Sequence, residues 1–211
     1  MTPAAERQLA VSASRLPEGA ADLLRPVFEV REWALWCTLY VDSSDAGGGA
    51  STSPDKSAHA WAWGGRGRLT DEVADILGAP RYLTLSGVSP EAAGKDSGIA
   101  ELWGIVHAVR ETLVRWPWLA GIGIKCDNAE TVRAIRGCDG RDGGARVWSG
   151  CRKKLRPAQT ALLALIQPIG VHLRATHVHG HNRAEQPQQR AFNRDADLAA
   201  RRAARDVNRS T

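Results

Sequence analysis

Apolar runs along the chain are cut by short polar or glycine-rich punctuation, and the period of each run names its element. Ala34 to Val41 is almost wholly apolar and closes on Asp42, the pattern of a strand buried on both faces. Ser43 to Lys56 is rich in Gly and Ser and reads as a turn. Ser57 to Gly64 puts His59, Trp61 and Trp63 on one face of a second strand. A short helix at Asp71 to Leu77 leads to a third strand at Arg81 to Ser86. From Gly98 to Arg115 the period becomes helical, with Leu102, Ile105, Val106, Val109 and Leu113 on one stripe and Pro117 past the end. Gly121 to Cys126 is a fourth strand and Asn128 to Arg136 a short helix. The Gly-rich stretch Gly137 to Gly150 precedes a helix at Pro157 to Gln167. Val171 to His177 is the fifth strand. Asn193 to Asn208 is a terminal helix with a stripe of Ala196, Ala199, Ala200, Ala203 and Ala204.

The order is therefore β-β-β-α-β-α-α-β-α. Three strands joined by turns predict an antiparallel meander. Crossover helices after the third and fourth strands predict that strands one, four and five run parallel. The expected architecture is α/β: a mixed five-stranded sheet, three strands antiparallel and then parallel ones, with helices on both faces. Sites in such sheets gather at the carboxyl ends of the parallel strands, where Asp42 and Asp127 fall. Residues 1–30 are Ala-rich and polar, broken by Pro3, Pro17 and Pro26, and read as an N-terminal extension or linker with a short helix at Ala20 to Leu24. Residues 31–211 form the expected domain.

Composition narrows the class. A chain of 211 residues with 43% hydrophobic content suits one domain with a real core. The net charge of +5 and pI near 9.3 favour a polyanionic partner. Cys37, Cys126, Cys138 and Cys151 show no paired spacing, and the first two sit in apolar strands. Buried thiols and a reducing compartment are expected. Met1 to Gly19 lacks the order of a secretion signal, and no run of 18 apolar residues occurs. The expected location is intracellular, cytoplasmic or nuclear, with no membrane partner.

The chemistry lies in acidic residues placed at element ends: Asp42, Glu101, Asp127, and either Asp195 or Asp197. Each has an ordinary use, as a turn acceptor or a first-turn helix residue. Together, at one end of one sheet, they would repel strongly unless divalent metal joined them. Paired hard cations on carboxylates are suited to phosphodiester cleavage. His177, His179 and His181 alternate within one turn. A zinc site is one reading of them, and a loop histidine that moves protons is the other.

These features resemble the ribonuclease H family, type 1, from about Trp36 to Arg205. The segments that carry the resemblance are Leu39-Tyr40-Val41-Asp42-Ser43-Ser44, Ala100-Glu101-Leu102, Ile124-Lys125-Cys126-Asp127-Asn128, Val178-His179-Gly180-His181 and Asn193-Arg194-Asp195-Ala196-Asp197. The resemblance implies a ribonuclease H-like sheet and a metal-dependent endonuclease that cuts the RNA strand of RNA–DNA hybrids. It implies two Mg²⁺ ions, with Mn²⁺ as a substitute, on Asp42, Glu101, Asp127 and Asp197, and His181 as a helper in turnover. Asp197 is preferred to Asp195 because it keeps the Asn-x-x-x-Asp spacing. Ser43, Ser44, Asn128, Trp148, Lys153 and Lys154 are the expected substrate contacts. Ser43 stands where the family has glycine, and Asn182 to Phe192 reads as an inserted loop. The alternatives are another nuclease of the same fold, of resolvase or exonuclease type, and an inactive nucleic-acid-binding domain of a reverse-transcriptase polyprotein.

Overall fold

A computed structural model describes residues 2–31, 33–45, 60–136, 153–178 and 187–210. The strands are β1 (Trp36–Asp45), β2 (Trp61–Arg68), β3 (Tyr82–Val88), β4 (Gly121–Cys126) and β5 (His172–His177). The helices are α1 (Pro3–Ser12), α2 (Ala20–Val30), α3 (Asp71–Ile76), α4 (Ser97–Arg115), α5 (Ala129–Arg136), α6 (Arg156–Ile166) and α7 (Pro187–Ser210). The sheet order is β3-β2-β1-β4-β5. β1–β2 and β2–β3 pair antiparallel, and β1–β4 and β4–β5 pair parallel, as the predicted meander and crossovers require.

β1 is longer than its apolar run predicts. Asp42 ends only the pairing with β4, whose register stops at Tyr40 opposite Lys125. On its other side β1 continues, with Asp42 opposite Gly64 and Asp45 opposite Trp61. β2 correspondingly runs Trp61–Arg68, four residues further along than the expected Ser57 to Gly64.

Adjacent residues of a strand face opposite sides, and two glycines of β2 show what lies on each. A Cβ on Gly65 would touch Ala108 of α4 at 3.6 Å. A Cβ on Gly64 would lie 2.2 Å from the Ala196 carbonyl oxygen and 2.4 Å from the Ala200 nitrogen of α7. The two long helices therefore cover opposite faces. α4 buries Leu102, Ile105, Val106 and Val109 completely. α7 seats its alanine stripe, with Ala196 and Ala200 fully buried.

α7 begins six residues before its expected start. Residues 187–192, expected to be inserted loop, are helical, and Asn193, the expected start of the helix, lies inside it. Phe192 explains why. It packs beside Tyr40 and Tyr82, at ring centroids 5.5 and 5.9 Å away, under the guanidinium groups of Arg66 and Arg68. An aromatic anchor there extends the helix by more than a turn.

The first 30 residues, read as extension or linker, carry α1 and α2. Pro26 sits inside α2, although proline usually breaks a helix. Ala5, Leu24 and Phe28 belong to the same apolar cluster as Leu39 of β1 and Ile124 of β4. Arg15 donates to the backbone carbonyls of Val11, Pro117 and Ile169 at 2.7, 2.7 and 3.1 Å, tying the segment to the loops after α4 and α6. Cys37 and Cys126 are free and buried. Among the described residues no helix is long and apolar enough to cross a membrane.

Candidate active site

The parallel register sets two carboxylates side by side. Tyr40 is level with Lys125, so two residues further on Asp42 is level with Asp127, each past the last β1–β4 pair. Asp42 accepts from the Ser43 backbone N–H at 2.7 Å. His177, at the end of β5, reaches back to the Asp127 carbonyl at 2.8 Å. A carbonyl only accepts, so the ring carries its proton on Nε2 there. This contact pins the end of β4. His179 and His181 lie outside the described residues.

α4 supplies the third carboxylate. Asp96 caps the helix through the Ile99 N–H at 3.1 Å. That start puts Glu101 in the second turn, not the first as expected, so a dipole role near the helix end does not account for it. Gly104, one turn on, lets α4 lie close against β1 and β2. A Cβ there would fall 2.7 Å from Ser43 Oγ and 2.9 Å from Trp63 Cβ. Carboxylate oxygens of Glu101 and Asp127 and the Cys126 sulfur all lie within 4.8 Å of one another. The Cys126 thiol donates to Glu101 Oε2 at 3.6 Å.

α7 supplies the fourth. Asp42, Asp127 and Asp197 line one cleft of about 530 Å³ together with Arg190, Asn193, Arg194 and Arg201. Asp197 Oδ1 accepts from Arg201 Nε at 2.7 Å. Asp195 lies outside the cleft lining and pairs at 3.8 Å with Arg66 of β2.

Electrostatics follow from this crowding. Burial, then the charges of Asp127 and Asp197, push the Asp42 carboxyl up to about 6, against the Ser43 N–H and Arg201. Burial and the charges of Asp127 and Asp42 push Glu101 up to about 7, against a hydrogen bond from the Asn128 side chain. Burial and the Glu101 charge raise the Cys126 thiol well above its ordinary value, so it stays neutral. Four carboxylates, with Asp42, Glu101 and Asp197 half-buried and Asp127 exposed, form a hard-oxygen donor set, which suits Mg²⁺ or Mn²⁺ better than a soft cation.

The other expected substrate contacts have local duties. Ser43 turns toward α4 and donates to the Ala100 carbonyl at 3.3 Å, so its hydroxyl serves strand–helix packing. Ser44 is half-buried. Asn128 caps α5, accepting from the Glu130 and Thr131 N–H groups at 2.9 and 3.0 Å. Lys154 pairs with Asp96 at 2.7 Å, and Lys153 is exposed beside it. Trp148 lies outside the described residues. Sequence reading missed Arg190, Arg194 and Arg201. Arg194 and Arg201 fall within the predicted terminal helix, and Arg190 joins their face only because α7 starts at Pro187.

No family model matches the chain, and no curated protein matches it. Solved structures do. The N-terminal ribonuclease H domain of a Mycobacterium tuberculosis protein, solved as a fusion with maltose binding protein, superposes with a TM-score of 0.50 at 14% identity over 83% of this chain and 97% of that one. The ribonuclease H domain of prototype foamy virus gives 0.51 at 15% identity over 80% and 93%. The native protease–reverse transcriptase of the same virus gives 0.51 at 15%, matching 80% of this chain and 20% of that longer one. The chain has the ribonuclease H-like fold. In this fold the carboxylate cleft lies at the carboxyl ends of β1 and β4, where a doubly covered α/β sheet places its sites.

Proposed function

We propose that the protein is a metal-dependent endonuclease that hydrolyses the RNA strand of RNA–DNA hybrids. One observation carries the reading. Asp42, Asp127 and Asp197 line one cleft, a Glu101 carboxylate oxygen lies within 4.8 Å of one of Asp127, and burial and mutual repulsion push Asp42 and Glu101 up to about 6 and 7. Nothing in the packing requires such a cluster, whose cost is offset when cations join it.

Asp42, Glu101, Asp127 and Asp197 would hold two Mg²⁺ ions, or Mn²⁺ in their place. Ions so held would supply an activated water and would stabilise the leaving 3′-oxygen. The chain's own residues provide the rest. The Asn128 side chain holds Glu101 in place, and His177 holds the end of β4. Arg201 orients the Asp197 carboxylate. His181, which follows β5 in the sequence, would serve as a proton carrier, a part general acid–base groups play for ~10²–10⁴ in rate. RNA would be told from DNA by its 2′-hydroxyls in the shallow minor groove. The basic balance of the chain, +5, fits a nucleic-acid partner. One fold neighbour is a domain of a protease–reverse transcriptase, so a place in a reverse-transcriptase polyprotein belongs to the proposal.

The test is direct. The protein is incubated with MgCl₂ and labelled RNA–DNA, RNA–RNA and DNA–DNA duplexes. Cleavage confined to the RNA of the hybrid, abolished in Asp127→Asn, is the expected result. Preferential cutting of a DNA duplex would assign another nuclease of the fold. Tight binding without cleavage by the wild type would assign a binding domain.

A further inference from the structure

α7 crosses the carboxylate cleft in its middle, not at its start, and carries arginines on both sides of Asp197. Arg190, Arg194, Asp197 and Arg201 recur at intervals of four, three and four, which is one face of a helix. All four line the cleft with Asp42 and Asp127. From Arg190 to Arg201 the stripe runs roughly 16 Å at 1.5 Å per residue.

The arginines differ in what they already do. Arg201 is spent on Asp197 at 2.7 Å. Arg190 and Arg194 are exposed, and among the described residues neither is paired with a carboxylate. Arginine cannot ligate a metal and repels one, so these groups do not serve the carboxylates as ion holders. Among the described residues these are two unpaired, planar, permanently charged forks at the lip of the cleft, open to an anion from outside. Backbone phosphate fits that fork bidentately.

We propose that Arg190 and Arg194 form a phosphate-binding rail on the amino-terminal half of α7, which tracks the backbone of an RNA–DNA hybrid away from the carboxylate cluster. This rests on the nuclease reading above. The rail exists because Phe192, between the two arginines, seats α7 on Tyr40 and Tyr82 and carries the helix past the site. The partner is recognised by its charge and spacing, not by its sequence. Arg190 and Arg194 are therefore positioning residues that set substrate affinity, not catalytic ones.

The experiment measures binding of a mixed-sequence RNA–DNA hybrid to the full chain in an Asp127→Asn background, which leaves the hybrid uncut. Kd is followed from 50 to 300 mM KCl. The Arg190→Gln/Arg194→Gln pair is compared with Arg202→Gln/Arg209→Gln, which removes the same charge from a separate cluster on α7. The rail predicts a Kd weakened about tenfold or more at low salt, and a salt slope smaller by about one per lost phosphate contact. The Arg202/Arg209 pair should shift both far less. Equal effects from the two pairs would overturn the rail and leave only diffuse attraction, with the nuclease reading intact. No hybrid binding by the parent protein would overturn the nuclease reading itself, and the rail with it.

Discussion

Asp42 and Glu101 keep protons that exposed carboxylates would lose, and this makes the metal-free protein sensitive to pH. Unfolded, such groups titrate near ~4. Folded, they titrate at about 6 and about 7. Between those limits the native state binds more protons than the unfolded one, so stability falls as pH rises. The contribution is fully present below ~4 and is lost as pH passes 6 to 7. Thermal melts in EDTA should therefore show a lower Tm at pH 8 than at pH 5, with a smaller drop in Asp42→Asn. Equal pH dependence in the two proteins would refute the assignment of the buried charge. The two aspartates of α7 separate at the same scale. Asp197→Asn should cost more than ~100-fold in cleavage, beyond the 10–100-fold of residues that merely support a ligand. Asp195 holds only a half-exposed pair with Arg66, worth ~0–1 kcal/mol, so Asp195→Asn should stay within a few-fold of wild type. The reverse ranking would show that the register on α7 is wrong.

Between elements, close approach decides whether the four carboxylates meet. α7 brings Asp197 toward Asp42 only because Gly64, directly opposite Asp42, leaves room for the α7 backbone. A Cβ there would strike main-chain atoms, which cannot swing aside as a side chain can. Gly64→Ala should cost about 1–3 kcal/mol or more in stability, the range of overpacked cores. It should lower cleavage further than that at temperatures well below its Tm, because α7 lifts off the sheet. Unchanged activity in a folded Gly64→Ala protein would mean that Asp197 is not needed at the site. Gly104 plays the matching part for α4 and Glu101, with Ser43 and Trp63 at closest approach.

Across the whole molecule, the amino-terminal helices take part in the core. Phe28 is 2% exposed and shares its cluster with residues of every sheet strand. Phe28→Ala should cost ~3–5 kcal/mol. For a chain of this size that lowers Tm by roughly 6–20 °C. A linker would tolerate the change, so a Tm within a degree or two of wild type would detach residues 1–30 from the folding unit. The carboxylate cleft also belongs to this scale, since it joins β1 and α7, elements far apart in the chain.

The succession of elements and the face of α4 were legible in the apolar period, because alternation and helical spacing are local properties of the sequence, and the strand directions followed from the turns and crossover helices between them. So were the positions of Asp42, Glu101 and Asp127, which stand where apolar runs stop or start. The ends of elements were not legible. β1 runs past Asp42 because β2 continues to pair with it after β4 has stopped, and no local pattern reports a neighbour's length. α7 starts at Pro187 because Phe192 finds Tyr40 and Tyr82, residues 152 and 110 positions away in the chain. The choice between Asp195 and Asp197 rested in the sequence on spacing alone. Packing separates them, since Gly64 admits α7 in one rotation, with Asp197 in the cleft and Asp195 against Arg66. The sequence by itself determined which residue types could form a metal-binding acidic site and on which elements they sit. Tertiary structure decided their distances, their burial and their protons, because those depend on what the rest of the chain brings within a few ångströms.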